Sequence, residues 1–212
     1  MEATTLNELA LKFGTDKSSE GFGYCSTYER VFGHLRHEPV KLLELGVYQG
    51  ASLRMWDEYF DNPDSDIVGI DIDPPETRFG QRVRVYRSDQ AECPDALRDW
   101  QPDIVVDDAS HDNDKTQASF ETWWPFVAPG GFYIVEDITA SYNHGSPTAM
   151  DYLLKLVDEA NYGLLRSAVM ALFKALAKDV GRLPSRNDLH IKWMFFAANL
   201  VIVKKSAKES HD

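Results

Sequence analysis

Four carboxylates and one imidazole are the residues best suited to chemistry in this sequence. Asp107 and Asp108 close one short apolar run, Asp103-Ile104-Val105-Val106. Glu136 and Asp137 close another, Phe132-Tyr133-Ile134-Val135, and His111 follows Asp108 by three positions. So many anions in one place repel one another unless a cation or protons join them. A divalent metal with a histidine beside it answers that repulsion. Magnesium prefers oxygen ligands and keeps positions open for a substrate. Two vicinal hydroxyls on such an ion would have one pKa lowered, and an imidazole can take the released proton near neutral pH. The bland reading stands beside this one: the acids could cap loops, and a lone histidine after a strand could be structural.

The elements that must position these groups are short and alternate in type. Both apolar runs read as buried parallel strands. Neighbouring parallel strands of an open α/β sheet point their carboxyl ends at one crevice, where ligands bind. Further strands are expected over 40–46, 66–71 and 83–86. A closing hairpin is expected from strands 191–197 and 200–204, turned at Ala198-Asn199 and necessarily antiparallel. Helices are expected over 5–13, with Thr5 as N-cap and Gly14 as terminator, and over 25–35, 51–60 and 91–99. Another runs to Val127 from Asp114, where Gln117 completes a capping-box pattern. Helical segments over 148–179, interrupted near Asn161-Tyr162-Gly163, carry apolar residues read as a contact surface between copies, which gives a homo-oligomer.

Several residues along the crevice invite roles. The turn from Gly46 to Gly50 lets a ligand approach the backbone, and the helix after it offers free amides. It has G-x-x-x-G, not the G-x-G-x-x-G of a dinucleotide site, and a plain strand-to-helix turn reads equally well. Asp71, at the end of its strand, is placed to accept ribose hydroxyls, with Asp73 in reserve; a turn aspartate before Pro74-Pro75 is the alternative. Ser88, Asp89 and Gln90 could meet an adenine edge or cap a helix. Asp107 goes to the cofactor side of the crevice. The loop Gly14 to Gly21, with Thr15 and Lys17, reads as a lid or as plain solvated loop. Tyr142 lines an acceptor pocket or packs, and Trp123 and Trp124 read as core and helix surface.

Composition narrows the partners. The 212 residues suffice for one α/β domain. A net charge of -12 repels phosphate backbones, so nucleic acid is not an expected partner. No apolar run approaches the ~20 residues that cross a membrane. The first residues lack a secretory pattern. Cys25 and Cys93 lie in no metal-binding spacing and read as free thiols in a reducing cytoplasm.

Strands alternating with helices and closed by a hairpin resemble the class I S-adenosylmethionine-dependent methyltransferases. Glu44-Leu45-Gly46 to Gly50, the GIDID of 69–73 and the terminal hairpin carry that likeness. It implies a Rossmann-like α/β fold, a seven-stranded, mostly parallel sheet in the order 3-2-1-4-5-7-6 with helices on both faces. The expected organisation is an N-terminal helical extension or lid at 1–37, the methyltransferase domain at 38–204 and a polar tail at 205–212.

Four segments, FGTDKSSEGFGY, VVDDASH, APGGFYIVEDI and TASY, are similar more narrowly to the metal-dependent sugar O-methyltransferases of antibiotic biosynthesis, of the mycinamicin and calicheamicin type. This resemblance implies magnesium on Asp108, Glu136 and Asp137, His111 as general base with Asp108, and His111 and Tyr142 near the substrate. It implies S-adenosylmethionine held by Glu44, Gly46, Tyr48, Gly50, Ser52, Asp71, Ser88, Asp89, Gln90, Asp107, Thr15 and Lys17. The acceptor would be a sugar or polyol hydroxyl of a natural product. A catechol-type methyltransferase and a non-catalytic adenosylmethionine-binding protein are the rival readings. Two departures stand out: Phe22 where a histidine is expected, and a chain that begins at the catalytic domain, without an additional N-terminal domain.

Overall fold

The computed structural model describes residues 4–143, 145–160 and 190–207. Its strands are β1 (Lys41–Leu45), β2 (Asp66–Asp71), β3 (Val83–Arg87), β4 (Ile104–Asp107), β5 (Phe132–Glu136), β6 (Ile191–Ala197) and β7 (Leu200–Lys205). They form one sheet in the order β3-β2-β1-β4-β5-β7-β6. The first five strands are parallel, and β7 runs against both β5 and β6. This is the order that the class I resemblance implies.

The central strands are apolar along their whole length because both faces are covered. Alternate side chains still go to opposite faces, and the two faces bury different partners. Leu42, Ile104, Val106, Phe132, Ile134 and Ile202 face α1 (Leu6–Phe13), α2 (Cys25–Phe32) and α3 (Ala51–Tyr59), where Tyr28, Phe32, Trp56 and Phe60 form an aromatic stack. Leu43, Val105, Tyr133, Val135 and Val201 face α4 (Asn113–Trp123) and the helix over 149–160, with Phe120, Trp123 and Leu153. The N-terminal helices therefore share one core with β1, β4 and β5.

Local signals explain most boundaries. Thr5 and Glu8 form the capping box of α1, and Gly14 ends that helix in the left-handed region. Two expectations needed correction. The helix expected over 91–99 is a single 3-10 turn, Asp95–Leu97, because Pro94 has no N–H to give and restricts Cys93 before it. The cap of α4 is Asp112, whose carboxylate accepts from the amides of Asp114 and Lys115, while Gln117 bonds Glu121 instead of closing a capping box. That helix stops at Trp123 and tightens into a 3-10 turn at Trp124–Phe126 around Pro125, short of Val127. The reading of helices beyond residue 160 falls on 161–189, outside the described residues, as does most of the polar tail.

One glycine fixes how closely the site is assembled. Gly46 has φ 88°, and a Cβ there would lie 2.1 Å from the carbonyl oxygen of Asp108. The β1 turn and the end of β4 thus touch backbone to backbone. Gly46→Ala combines a left-handed φ with that clash, so a loss of about 2 kcal/mol or more is expected. Urea unfolding of variant and parent measures it; an unchanged midpoint would contradict the close approach.

Candidate active site

Strand parity assembles the acids. Glu44, Asp108 and Glu136 sit at the carboxyl ends of three adjacent strands, on the face that α1 and α2 cover. β4 pairs with β5 at Asp107↔Val135, so the next position sets Asp108 beside Glu136. The loop between α1 and α2 inserts Lys17 among them. Its Nζ contacts Asp108 Oδ2, lies 2.7 Å from Glu136 Oε2 and 3.7 Å from Glu44 Oε1. Lys17 is 1% exposed. The other oxygen of Glu136 accepts from the Tyr28 hydroxyl, and Ser52 Oγ donates to Glu44 Oε2 at 2.8 Å.

One ammonium does not balance three buried carboxylates. Burial works against the charge on Lys17, yet Glu136, Asp108 and Glu44 outweigh it and raise its pKa well above the ordinary value. Burial pushes Glu136 and Asp108 upward despite Lys17, with repulsion from Asp108 adding to it at Glu136 and from Asp16 at Asp108. Burial likewise lifts Glu44 to about 7, against the pull of Lys17. A row short of positive charge must hold protons or a second cation.

A second cation has donors to meet. Asp108, His111 and Asp137 each offer one ligand atom within 4.8 Å of the others. His111 Nε2 is 3.9 Å from Asp108 Oδ1 and 3.7 Å from Asp137 Oδ2. The half-buried Asp108 and Asp137 carboxylates, with the His111 imidazole beside them, offer oxygen donors that fit a divalent cation. Glu136 lies on the Lys17 side of this group. Asp137 is held by the Tyr24 hydroxyl, 2.6 Å from its Oδ1, and by Asn199 Nδ2, also 2.6 Å away. Asp107 does not join the acids. Adjacent in sequence to Asp108, it points to the other face, where it accepts from Tyr133 (2.9 Å) and Gln90 (3.4 Å) and is buried. The four carboxylates of the two pairs therefore do not meet at one rim.

The cofactor side is ordered by Asp71. Its Oδ2 accepts from the amides of Val47 (2.8 Å) and Tyr48 (3.0 Å), and its Oδ1 from Asp73. Burial disfavours its charge, but those amides and Arg87 hold its carboxyl below the usual value. The turn from Gly46 to Gly50 is thereby pinned to β2. Tyr48 projects into solvent, 80% exposed. The Ser88 amide donates to the Asp71 carbonyl. Asp89 pairs with Lys115 and caps Ala91. Gln90 is engaged inside, donating to Ser119 and accepting from the Ser110 amide, which leaves its amide little freedom to read a base edge. Thr15 is buried in the N-terminal loop, and Lys17, expected on the cofactor lid, instead joins the acids. Tyr142 is exposed on the turn after β5.

Sequence reasoning missed Tyr24, Tyr28 and Asn199. Tyr28 sits on the apolar face of α2, where only its hydroxyl separates it from a core phenylalanine. Asn199 reads as a hairpin turn residue and has φ 61°, yet its side chain also ties Asp137 to Tyr24. A usable signal for Asn199 was the pairing of β7 with β5, which brings that turn beside Asp137.

Residues 43–138 match the family described as Methyltransferase domain. The chain is 34% identical over 213 residues to demethylmacrocin O-methyltransferase of Streptomyces fradiae, an alignment covering 94% of this chain and 53% of that protein. It is 32% identical over 216 residues to mycinamicin VI 2''-O-methyltransferase of Micromonospora griseorubida, covering 96% and 53%. A solved structure, MycE methyltransferase from the mycinamycin biosynthetic pathway in complex with Mg and SAH, superposes with a TM-score of 0.80 at 28% identity, over 99% of this chain and 56% of that one. The chain spans about half the length of these relatives.

Burial raises the Asp107 carboxyl to about 7, against hydrogen bonding from Tyr133. A folded-state value above the unfolded one contributes stability at low pH, lost as pH rises through about 7. Asp107→Asn keeps the acceptor for Tyr133 and removes the charge. Urea unfolding should show the variant near parity with the parent at about pH 4, gaining on it as pH rises toward about 7 and keeping a constant lead above that. A difference that does not vary with pH would show that Asp107 is ionised throughout.

Proposed function

We propose, on the premise that residues 43–138 belong to the methyltransferase-domain family within the class I strand order, that this protein methylates a sugar hydroxyl of a natural product. S-adenosylmethionine would be the donor and magnesium or another divalent ion the metal cofactor. The observation that carries the reading is the Asp108, His111 and Asp137 group, in a chain about one-third identical to demethylmacrocin O-methyltransferase. The mycinamycin-pathway structure bound to Mg and SAH supports both cofactors.

Asp108 and Asp137 would hold the metal, with Glu136, shared with Lys17, as the third carboxylate. When bound, the ion makes an acceptor hydroxyl more acidic and fixes its orientation. His111 is the base. Its imidazole is 28% exposed and stands beside both proposed ligands, 3.9 Å from Asp108 Oδ1 and 3.7 Å from Asp137 Oδ2, so it is placed to take a proton from a hydroxyl held there. Asp108 would therefore be both a metal ligand and a neighbour of the base. The sulfonium of S-adenosylmethionine supplies a methyl group that is already activated, so the chain's part is alignment of donor and acceptor. Glu44, Ser52 and Asp71 order the turn from Gly46 to Gly50, and Tyr48, Ser88, Asp89 and Thr15 border the donor side. Tyr142, exposed after β5, flanks the acceptor side.

Demethylmacrocin and mycinamicin VI, named for the relatives' activities, are the first acceptors to test beside catechol. Mass-spectrometric transfer of one methyl group to a sugar is the expected result. Transfer to catechol alone would replace the sugar reading with a phenolic one, and cofactor binding without any turnover would support a non-catalytic protein. His111→Ala should lower kcat by ~10²–10⁴-fold with calorimetric affinity for S-adenosylhomocysteine nearly unchanged. Exhaustive chelation should abolish turnover and added magnesium restore it; full activity after chelation would remove the metal from the reaction.

A further inference from the structure

Lys17 is a buried cation that the reaction chemistry above does not use. Its loop is built to deliver it. The Phe22 amide donates to the Asp16 carbonyl at 2.7 Å, those of Gly21 and Gly23 donate to Ser18, and that of Cys25 to Lys17 itself. A Cβ on Gly21 would lie 2.0 Å from the Asp16 carbonyl oxygen, so the loop admits little slack. Asn7 braces it from α1, donating to Ser19 Oγ and accepting from the Ser19 amide. The side chain then reaches Asp108, Glu136 and Glu44, three acids from three strands.

Asp108 divides its two oxygens. Oδ2 contacts the Lys17 ammonium, and Oδ1 faces His111 within the candidate metal group. We propose that Lys17 is a permanent counter-cation of this rim: it holds Asp108 and Glu136 in place before a divalent ion arrives, and it weakens the binding of that ion. Lys17 is thus a positioning residue, acting through the two acids rather than on the substrate. The inference rests on the reading that Asp108 helps to hold a divalent cation.

The physical basis is the charge ledger of the face. Without Lys17, Glu44, Asp108 and Glu136 face one another in a low-dielectric interior, with Ser52 on Glu44 and Tyr28 on Glu136 as neutral donors, and the end of the sheet spreads or gains protons. With Lys17, the rim is assembled but has lost part of its pull on a second cation. A unit positive charge a few ångströms from a divalent ion repels it enough to lower affinity at least about tenfold, even with generous screening. The rim then releases and exchanges its metal more readily than an all-carboxylate site would. A residue that served packing alone would have no reason to act in this direction, because removing it would loosen the site and weaken metal binding.

Lys17→Met keeps the unbranched side chain to within one atom of its length and removes its charge. Mn²⁺ serves as the probe, followed by electron paramagnetic resonance of the free ion on the full chain. The expected result is Mn²⁺ affinity at least about tenfold tighter than in the parent, with a metal-free melting temperature that falls below the parent's and recovers in millimolar MgCl2. Unchanged or weaker Mn²⁺ affinity in a folded variant would overturn the proposal while leaving the metal reading intact. Mn²⁺ bound by the variant and not by the parent would support it in its strongest form. Binding by neither would sink the metal reading on which it rests. Should Lys17→Met fold only with MgCl2 present, that requirement supports the counter-cation role. Should it not fold at all, Lys17→Met/Glu136→Gln, which removes both members of the buried pair, is compared with Glu136→Gln alone. Tighter Mn²⁺ binding in the double variant supports the proposal, and equal or weaker binding overturns it.

Discussion

The structure depends on solving one electrostatic problem, the burial of like charges at the ends of neighbouring strands. Parallel pairing in register sets Asp108 beside Glu136, with Glu44 one strand further along the same face. No choice of rotamer separates three carboxylates fixed at the ends of one sheet. Their repulsion in a dry interior is worth several kcal/mol unless a cation intervenes. Lys17 intervenes, and it comes from outside the strand–helix repeat. The segment before β1 is thus electrically part of the sheet as well as packed on it: Leu6, Leu9, Tyr28 and Phe32 join the same core as Leu42 and Ile134.

The rim also stores strain where ligands would sit. Tyr48, His111 and Asp137 have φ of 48°, 55° and 51°, one just past the carboxyl end of each of β1, β4 and β5. Each such residue costs of order 1–3 kcal/mol and persists because its surroundings fix it. The surroundings are visible. Asp71 accepts from the Tyr48 amide, and Tyr24 and Asn199 grip the Asp137 carboxylate. Strain concentrated at three consecutive strand ends is a feature of sites rather than of ordinary turns. At His111 and Asp137 it accompanies side chains that meet Asp108, while Tyr48 projects into solvent.

Much of this was legible in the sequence, for local reasons. Runs such as IVV before Asp107 and YIV before Glu136 announced buried strands, Thr5 and Gly14 bounded α1, and the Ala198-Asn199 turn marked the hairpin. The strand ends gave Asp108, Glu136 and Asp137 as the expected ligands with His111 as base; in the structure Asp108, His111 and Asp137 come together while Glu136 turns to Lys17. Parity was legible as well and went unused. Residues 107 and 108 cannot face the same way in an extended chain, so Asp107 had to part from Asp108. What the sequence could not convey were contacts between distant segments. Lys17 lies 91 positions from Asp108 and 119 from Glu136, and a lone lysine in a polar loop looks solvated until the loop's path is known. The 91–99 segment failed for a different reason: the polar Ser88-Asp89-Gln90 before it suited a helix cap, but Pro94 overrode it.

The metal group and the lysine group share Asp108, and that sharing shapes what the site can do. A carboxylate held on one side by a fixed ammonium has one oxygen committed and one aimed at the solvent-facing rim. Metal affinity and metal position then become separable: packing and the N-terminal loop set the position, while the net charge of the face sets the affinity. A rim made only of acids would bind a divalent ion tightly but would need the ion in order to stay assembled. A rim with one resident cation stays assembled by itself and leaves the ion exchangeable. Because magnesium gives up its waters reluctantly and favours sites that complete its shell with substrate oxygens, a preassembled and moderately charged rim suits an ion that arrives with its acceptor better than one locked in beforehand.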